Sequence, residues 1–488
     1  MITFEQFEVL AKTYSAIPVY RKVLADLLTP VSAYMRLARH YRPAVLLESI
    51  EGGRQYTRYS YVCVDPRMIV IHSDDITTIQ QGQEKRLSDE PVLAILRKGL
   101  ADYKVPPVQE IPDFCGGWVG YLGYETVAWV ERVPVHPSED HDIPDAIFML
   151  FETVMAFDHL KQEVIVCHTQ HIDHGLSLKE QYESALAVIN HVGDALHTDI
   201  DYQTPPVTGK SQLKPQMSRS QFMASVNRAK DHIYAGDVFQ LVLSQCFQRS
   251  TQVESLTLYR ALRNINPSPY MFFFDLEQFA IIGASPELMV KVEKDQMEVR
   301  PIAGTRPRGA TREEDARLAE ELLADEKERA EHLMLVDLGR NDVGRVCRFK
   351  SVAVTEFMAV ERYSHVMHIV SDIRGELRQG IDAMEALLAG FPAGTVTGAP
   401  KIRAMELIHE LEPTRRGIYA GTVGYIDFHG NLNTCIAIRT MLLKDGVVSF
   451  QSGAGIVVDS DPQKEYDETV SKAEAVMQAV DFAERGLE

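Results

Sequence analysis

The sequence predicts an α+β fold of largely antiparallel sheets packed with flanking helices. Three observations carry this reading. Residues 270–302 hold four β-rich runs, YMFFFD, FAIIGA, LMVKVE and MEVRPI, separated only by short turns such as EKDQ. Towards the C-terminus TVGYIDF, CIAIRTMLL and VVSFQSGAGIV repeat the pattern, joined by the hairpin turns HGN and KDG. Strands so closely joined pair antiparallel, because a parallel crossover needs roughly a dozen residues or more. Helical segments lie between the two strand groups, a segregation that marks α+β rather than an alternating parallel sheet.

In chain order, the apolar runs Ala44–Ser49 and Val164–Cys167 read as strands of an N-terminal region, residues 1–196. That region closes on SLKEQYESALAVINHVGDAL, whose apolar residues recur at three-to-four spacing and predict a helix. Residues 197–216, HTDIDYQTPPVTGKSQLKPQ, are polar, proline-containing and aperiodic, and read as a linker. The remaining region, residues 217–488, carries both strand groups and the helices between them. These span 312–338, opened by a Thr311-x-x-Glu314 capping box, and roughly 380–390 and 400–411. No repeat of fixed period occurs.

Apolar residues make up 45% and charged residues 24% of the 488, the balance of an ordinary folded chain. The net charge of -19 opposes attraction to nucleic acid or anionic membranes, so neither is an expected partner. An anionic small substrate then needs local cations or a metal ion. The chain opens without a basic stretch and apolar core, and no run of about 18 apolar residues occurs, so neither a leader nor a membrane span is expected. Six cysteines (Cys63, Cys115, Cys167, Cys246, Cys347, Cys435) are scattered without a C-x-x-C. That argues against a zinc site or disulfide framework and for reduced thiols in the cytoplasm.

Two carboxylate pairs stand out. Glu328 and Glu331 in DEKERAEHLMLVDLGRND share one helix face at i, i+3, and Glu465 and Glu468 repeat that spacing in DPQKEYDETVSKAEA. Spacing alone leaves two readings open: solvated acidic faces, or a meeting of the pairs around a hard cation such as Mg²⁺. Likewise FQSGAGIVVDSDP is either a plain tight turn or one that presents backbone N–H groups to an anion. PAGTVTGAPKIRAMELI lacks phosphate-loop spacing, since Lys401 follows Pro400. His168, His171 and His174 in CHTQHIDH read as a polar surface turn rather than a metal site. His365 and His368 lie in an apolar stretch, where a core histidine is the commoner reading. Residues 299–309, VRPIAGTRPRG, read as a polar loop with Ala303 at its centre.

The chain resembles the chorismate-utilising enzyme family. The resemblance runs in order through QLVLSQ, GASPELMVKV, RPIAGTRPRG, DEKERAEHLMLVDLGRND, SHVMHIVS, GTVTGAPK, YAGTVGY, IAIRTML, SGAGIV and EYDETVSKAEA, from Gln240 to Glu474. It implies that family's fold and an Mg²⁺-dependent conversion of chorismate, a dianion with an enolpyruvyl ether. By the same resemblance Glu331 and Glu468 are direct Mg²⁺ ligands, Glu328 and Glu465 reach the ion through water, and Lys472 adds positive charge. Tyr419 and Arg439 match positions that hold the enolpyruvyl carboxylate. Gly453, Ala454 and Gly455 would offer backbone N–H groups, while Gly304 and Thr305 line the ring. Glu287 matches the general acid that protonates the departing C4 hydroxyl. His368 matches a position tied to the later elimination.

Two departures within the resemblance imply the nucleophile. Water-using members carry a lysine base in the segment matching QLVLSQ, where this chain has Gln240, whose amide cannot take a proton at neutral pH. Members that attack C2 with a lysine carry it in the segment matching PIAGT, where this chain has Ala303. Both point to ammonia, with anthranilate and pyruvate as products. The lack of a Cys-His-Glu glutaminase segment implies a separate glutamine amidotransferase subunit as partner. LLES (Leu46–Ser49) and NPSPYM (Asn266–Met271) resemble elements that bind L-tryptophan as inhibitor, which implies a site of Ser49, Pro269, Tyr270 and Met271. Arg58 and Tyr59 stand where a lysine is expected there. Two other readings stay open: an enzyme that stops at aminodeoxyisochorismate, and a noncatalytic homologue that binds chorismate or tryptophan.

Overall fold

The computed structural model describes every residue except 1, 51–57, 139–142, 202, 208–210 and 364–365. His365 and most of the segment after LLES therefore lie outside the described residues. Every strand pairing among the described residues is antiparallel, as the short connections require. One continuous run of partners leads from Gln240–Ser250 through Val447–Ile456, Thr440–Lys444 and Phe279–Ser285 to Tyr270–Asp275. Tyr270–Asp275 pairs on its other edge with the N-terminal strand Ala44–Glu48. A second junction pairs Gly117–Leu122 with Thr422–Asp427.

The run YMFFFD shows why such strands read as continuously apolar. Phe272 and Phe274 enter one large core, Met271 and Phe273 the other. Alternate side chains leave opposite faces of a strand, and here both faces are covered.

Several expectations change in detail. The helix expected over 312–338 is two helices, Arg312–Ala324 and Glu326–Val346. They break at Asp325, whose carboxylate accepts the Lys327 and Glu328 N–H groups and so caps the second. Only half of the capping box forms: Thr311 accepts from the Glu314 N–H, but the Glu314 carboxylate takes the Ala310 N–H. The expected loop around Ala303 is largely a strand, Ile302–Pro307, paired with Val366–Glu376 and bulged between Ala303 and Thr305. Gly304 sits at that bulge with φ of +67°, a conformation that favours glycine. CIAIRTMLL divides into Leu432–Ile436 and Thr440–Lys444, with Arg439 at φ of +50° between them. SGAGI is no turn but the end of the strand Val447–Ile456. His168 and His171 likewise belong to a strand, Glu163–His171, and only His174 lies in the turn beyond it.

Candidate active site

A cavity of about 510 Å³ opens between the strand Gln240–Ser250, the ends of the helices carrying the carboxylate pairs, and the kink at Arg439. Glu287, His368 and Gln240 line it, as do Thr305, Tyr419, Arg439 and Lys472. Gly453 and Gly455 form part of the wall, and Glu331 and Glu468 close one side. Four expected residues stand behind this surface. Ala454 is fully buried in the core beneath, as strand alternation between Gly453 and Gly455 requires. Gly304 faces Glu328 and Leu322, and Glu328 and Glu465 lie one helical turn before the two lining carboxylates.

The glycines are needed for space. A Cβ on Gly453 would lie 2.7 Å from the Tyr419 hydroxyl, and one on Gly455 would lie 2.6 Å from Gln240 Nε2. Gly453 O accepts a hydrogen bond from Lys472 Nζ at 2.9 Å. In an antiparallel strand both backbone groups of one residue point to the same edge, so the Gly453 N–H also faces away from Gln240–Ser250. The expected backbone donors thus belong to a strand edge rather than to a turn.

Burial raises the Glu287 carboxyl to about 8, while Thr395, the Ile302 N–H and the Arg439 guanidinium draw it partly back. Glu287 therefore carries its proton at neutral pH, as a general acid must. The Arg439 side chain makes no hydrogen bond or ion pair among the described residues; burial lowers its affinity for the proton, but guanidinium stays charged. Its free fork suits a carboxylate. Tyr419 beside it is pushed up to about 12 by burial, opposed by Arg416, and so remains a hydroxyl donor.

His368 Nδ1 lies 3.0 Å from Gly304 O and 3.1 Å from Thr305 Oγ1. A carbonyl only accepts, so Nδ1 carries the proton and Nε2 keeps its lone pair. Burial lowers the affinity of the ring for a second proton, leaving it neutral and basic. Gln240 Nε2 donates to Glu331 Oε1 at 3.4 Å, and its Oε1 is buried without a hydrogen-bond partner among the described residues.

The acidic set fits a hard cation in kind. Burial raises Glu331, and the neighbouring Glu328 and Glu468 carboxylates add to the rise; burial and then Glu468 also raise Glu465, against the pull of Ser460. A divalent cation would relieve this mutual repulsion among oxygen donors. Two of the four are held by side-chain cations: Lys472 Nζ lies 2.7 Å from Glu468 Oε1 and an Arg306 nitrogen 3.1 Å from Glu328 Oε1. Among the described residues no three His, Cys, Asp or Glu side chains form a ready-made metal cage.

A second cavity, of about 440 Å³, gathers Ser49, Pro269, Tyr270 and Met271, the four residues expected at an inhibitor site. Arg58 and Tyr59 line it too. Its aromatic wall includes Phe114 and Tyr425, with ring centroids 4.2 Å apart. Ser49 Oγ is buried and has no hydrogen-bond partner among the described residues.

Sequence reasoning missed Thr395 and Tyr363, which also line the larger cavity, and Arg416, which anchors its wall. Arg416 is buried, donates to Val396 O and Val242 O, pairs with Glu412, and sits 5.4 Å from the Tyr419 ring centroid. Thr395 lies inside GTVTGAPK, yet nothing in its spacing marks it out from the neighbouring Thr397.

An antiparallel α+β scaffold, a cavity with a protonated carboxyl, a free guanidinium and two acidic residue pairs together define the class. The chain belongs to the chorismate binding enzyme family, whose profile matches residues 42–478. Among curated relatives, anthranilate synthase component 1 of Acetivibrio thermocellus is 42% identical over 490 residues, covering 99% of this chain and 98% of the relative. Anthranilate synthase component 1 of Aquifex aeolicus is 43% identical, covering 100% and 99%. Among solved structures, anthranilate synthase component I of Streptococcus pneumoniae matches with a TM-score of 0.76 at 38% identity, covering 93% of this chain and 99% of that one. The menaquinone-specific isochorismate synthase of Escherichia coli shares the fold, with a TM-score of 0.71 at 18% identity over 98% of this chain and 100% of that one.

Proposed function

We propose that this chain catalyses the anthranilate synthase reaction, the first step of tryptophan biosynthesis, as the chorismate-converting component of a cytoplasmic two-component enzyme. The observation that carries the reading is the pairing of Gln240 and Ala303 on the walls of one cavity with Glu287. Neither Gln240 nor Ala303 offers a base or a nucleophile, so the space at C2 is left to ammonia, which needs no activation. The near full-length likeness to proteins named anthranilate synthase component 1 supports the same conclusion.

The residues divide the work. Arg439 and Tyr419 hold the enolpyruvyl carboxylate, assisted by the Gly453 strand edge. Gln240 offers its unpartnered Oε1 to an N–H of ammonia. Glu287 gives its proton to the leaving C4 hydroxyl, and His368, neutral with Nε2 free, takes the C2 proton as pyruvate is expelled. Glu331 and Glu468 would hold Mg²⁺, with Glu328 and Glu465 behind them; the ion supplies Lewis-acid stabilisation at the ring carboxylate. Lys472 then balances the remaining charge. The ammonia comes from a glutamine amidotransferase subunit. L-tryptophan occupies the cavity at Ser49, Pro269, Tyr270 and Met271 and inhibits the reaction.

The test is one assay: the purified chain with chorismate, Mg²⁺ and an ammonium salt. Anthranilate and pyruvate in equal amounts are expected. An aminated intermediate without pyruvate, isochorismate or salicylate, or no turnover at all would each overturn the reading. Adding an amidotransferase subunit and glutamine should replace the ammonium salt.

A further inference from the structure

A small chamber of about 40 Å³ adjoins the larger cavity at Glu287. Glu287 and Thr395 line both spaces, so these two side chains form the partition. Much of the chamber wall is apolar, including Leu335 and Leu338, but Asp342 and Arg300 also stand on it. Asp342 is buried and takes hydrogen bonds from Lys401 Nζ at both oxygens, 2.9 and 2.8 Å; Lys401 also donates to Gly390 O at 3.3 Å. Side-chain exposure is 10% for Lys401 and 8% for Asp342, so the pair still touches solvent.

The chamber has the size and the chemistry to hold water. One water needs roughly 10–15 Å³ of such space and at least two polar partners, and Glu287, Thr395 and Asp342 supply them. Thr395 lies close enough to favour the Glu287 carboxylate over its acid, yet its buried hydroxyl makes no hydrogen bond of good geometry to a described residue. The two observations agree on a contact that is near but not closed, as expected of a hydroxyl that also faces a water.

We propose that this chamber is the path by which Glu287 recovers its proton, with water and the Thr395 hydroxyl linking it to the Asp342–Lys401 pair at the solvent side. The proposal rests on the functional reading above and deepens it. In each turnover Glu287 gives one proton to the C4 hydroxyl, the C–O bond breaks, and its electron pair leaves with water. The buried carboxylate, cut off from solvent on the cavity side by the substrate, takes a proton from the nearest chamber water. That water takes one from its neighbour, and the deficit is made good from solvent at Asp342. The nitrogen, once bonded to C2, sheds one proton to solvent, and His368 passes the C2 proton to the methylene carbon of the departing enolpyruvate, so none is gained or lost overall.

The charges facing the path are few. Arg439 faces Glu287 from the cavity side. Arg300 on the chamber wall is held by Glu361 and Glu356. Lys401 and Arg345 face Asp342. Asp342 and Thr395 are positioning and relay residues; neither is asked to do the chemistry at the ring.

Asp342→Asn keeps the shape and an acceptor for Lys401 but removes the carboxylate. Using the full chain with chorismate, Mg²⁺ and an ammonium salt, kcat should fall about tenfold or more, with KM for chorismate unchanged. Return of the proton then limits the rate, so the alkaline fall in kcat should begin at lower pH and the solvent deuterium isotope effect on kcat should grow. Thr395→Val should act alike, and Thr395→Ser should restore the wild-type profile. If Asp342→Asn does not fold, the two Thr395 variants carry the test alone. Wild-type pH profile and isotope effect in the variants would overturn the relay, as would a lower kcat with neither readout changed. A wild-type chain that makes neither anthranilate nor pyruvate would instead overturn the functional reading.

Discussion

The larger cavity and the cavity at Ser49 share one stretch of backbone, residues 266–272, and meet at Pro269. They differ in how their charges are settled. In the cavity at Ser49, Glu48 is closed off by the Tyr259 hydroxyl at 2.5 Å and by Arg263 at 2.9 and 3.1 Å. Arg58 is tied to Asp158 at 2.9 Å, and Lys291 to Glu293 at 2.9 Å. In the larger cavity Lys472 pairs with Glu468, but the Arg439 side chain has no hydrogen bond or ion pair among the described residues, Glu287 keeps its proton because it is buried, and Glu331 is crowded by like charges. Charges neutralised by neighbours shape a binding surface; charges left unsettled in a sheltered space are free to act on a substrate.

The largest break in this contrast is Glu287→Gln. With the proposed proton donor gone, kcat should fall by about 10²–10⁴-fold while KM for chorismate stays near wild type. For the wild type, kcat should decline as pH rises through about 8, where Glu287 loses its proton. Stability should fall with rising pH as well. The folded-state affinity of Glu287 for its proton is raised from 4.5 to about 8. Its contribution to stability is therefore fully present below pH 4.5 and is lost as pH rises through 8. Glu287→Gln stays neutral, so its unfolding free energy should exceed that of wild type by a margin that grows from pH 5 to 9, to on the order of 5 kcal/mol at the top. A constant margin would mean that Glu287 is ionised throughout.

Arg439→Met comes next. Losing a charge-assisted carboxylate contact worth roughly 1.5–3 kcal/mol should raise KM for chorismate about 10- to 100-fold. Because the Arg439 side chain has no hydrogen bond or ion pair among the described residues, its removal strands no buried anion among them, and the melting temperature should hold. Unfolding of the variant would mean that Arg439 is structural.

How much of this the sequence carried depends on the range over which each feature is determined. The strands YMFFFD and FAIIGA were legible because period, length and turn chemistry are local. The split of 312–338 at Asp325 was not, since the cap competes with a helix-forming sequence on both sides. The strand at Ile302–Pro307 was hidden for a different reason: its polar residues look loop-like, and only its partner Val366–Glu376 makes it a strand. For the site, the resemblance supplied residue roles. Ala454 fell outside the cavity wall because alternation along a strand forbids three consecutive residues from facing one side. The bonds from Arg416 to Val242 O and Val396 O and the Asp342–Lys401 pair join distant segments, and no spacing rule relates them.

A smaller effect is expected at Gly455. The added methyl of Gly455→Ala meets the far end of Gln240 rather than backbone, so Gln240 should swing away from Glu331 while the fold persists. Misplacing one polar group beside the reacting centre should lower kcat with ammonium by about tenfold, with little change in melting temperature. An unchanged kcat would remove Gln240 from the proposed handling of ammonia.

The finest test of the contrast leaves turnover alone. Ser49→Phe places a ring in a cavity of about 440 Å³ whose wall is already aromatic, and replaces a hydroxyl that has no hydrogen-bond partner among the described residues. The ring has room without displacing the core, so kcat and KM should stay within about twofold of wild type. The same ring fills the space that L-tryptophan is proposed to occupy, so inhibition by L-tryptophan should disappear. If wild type does not respond to L-tryptophan, the regulatory reading of this cavity fails. If Ser49→Phe loses inhibition and turnover together, the two cavities are coupled through Pro269 more tightly than a shared wall requires. If it loses inhibition alone, the chemistry belongs to one cavity and the control to the other.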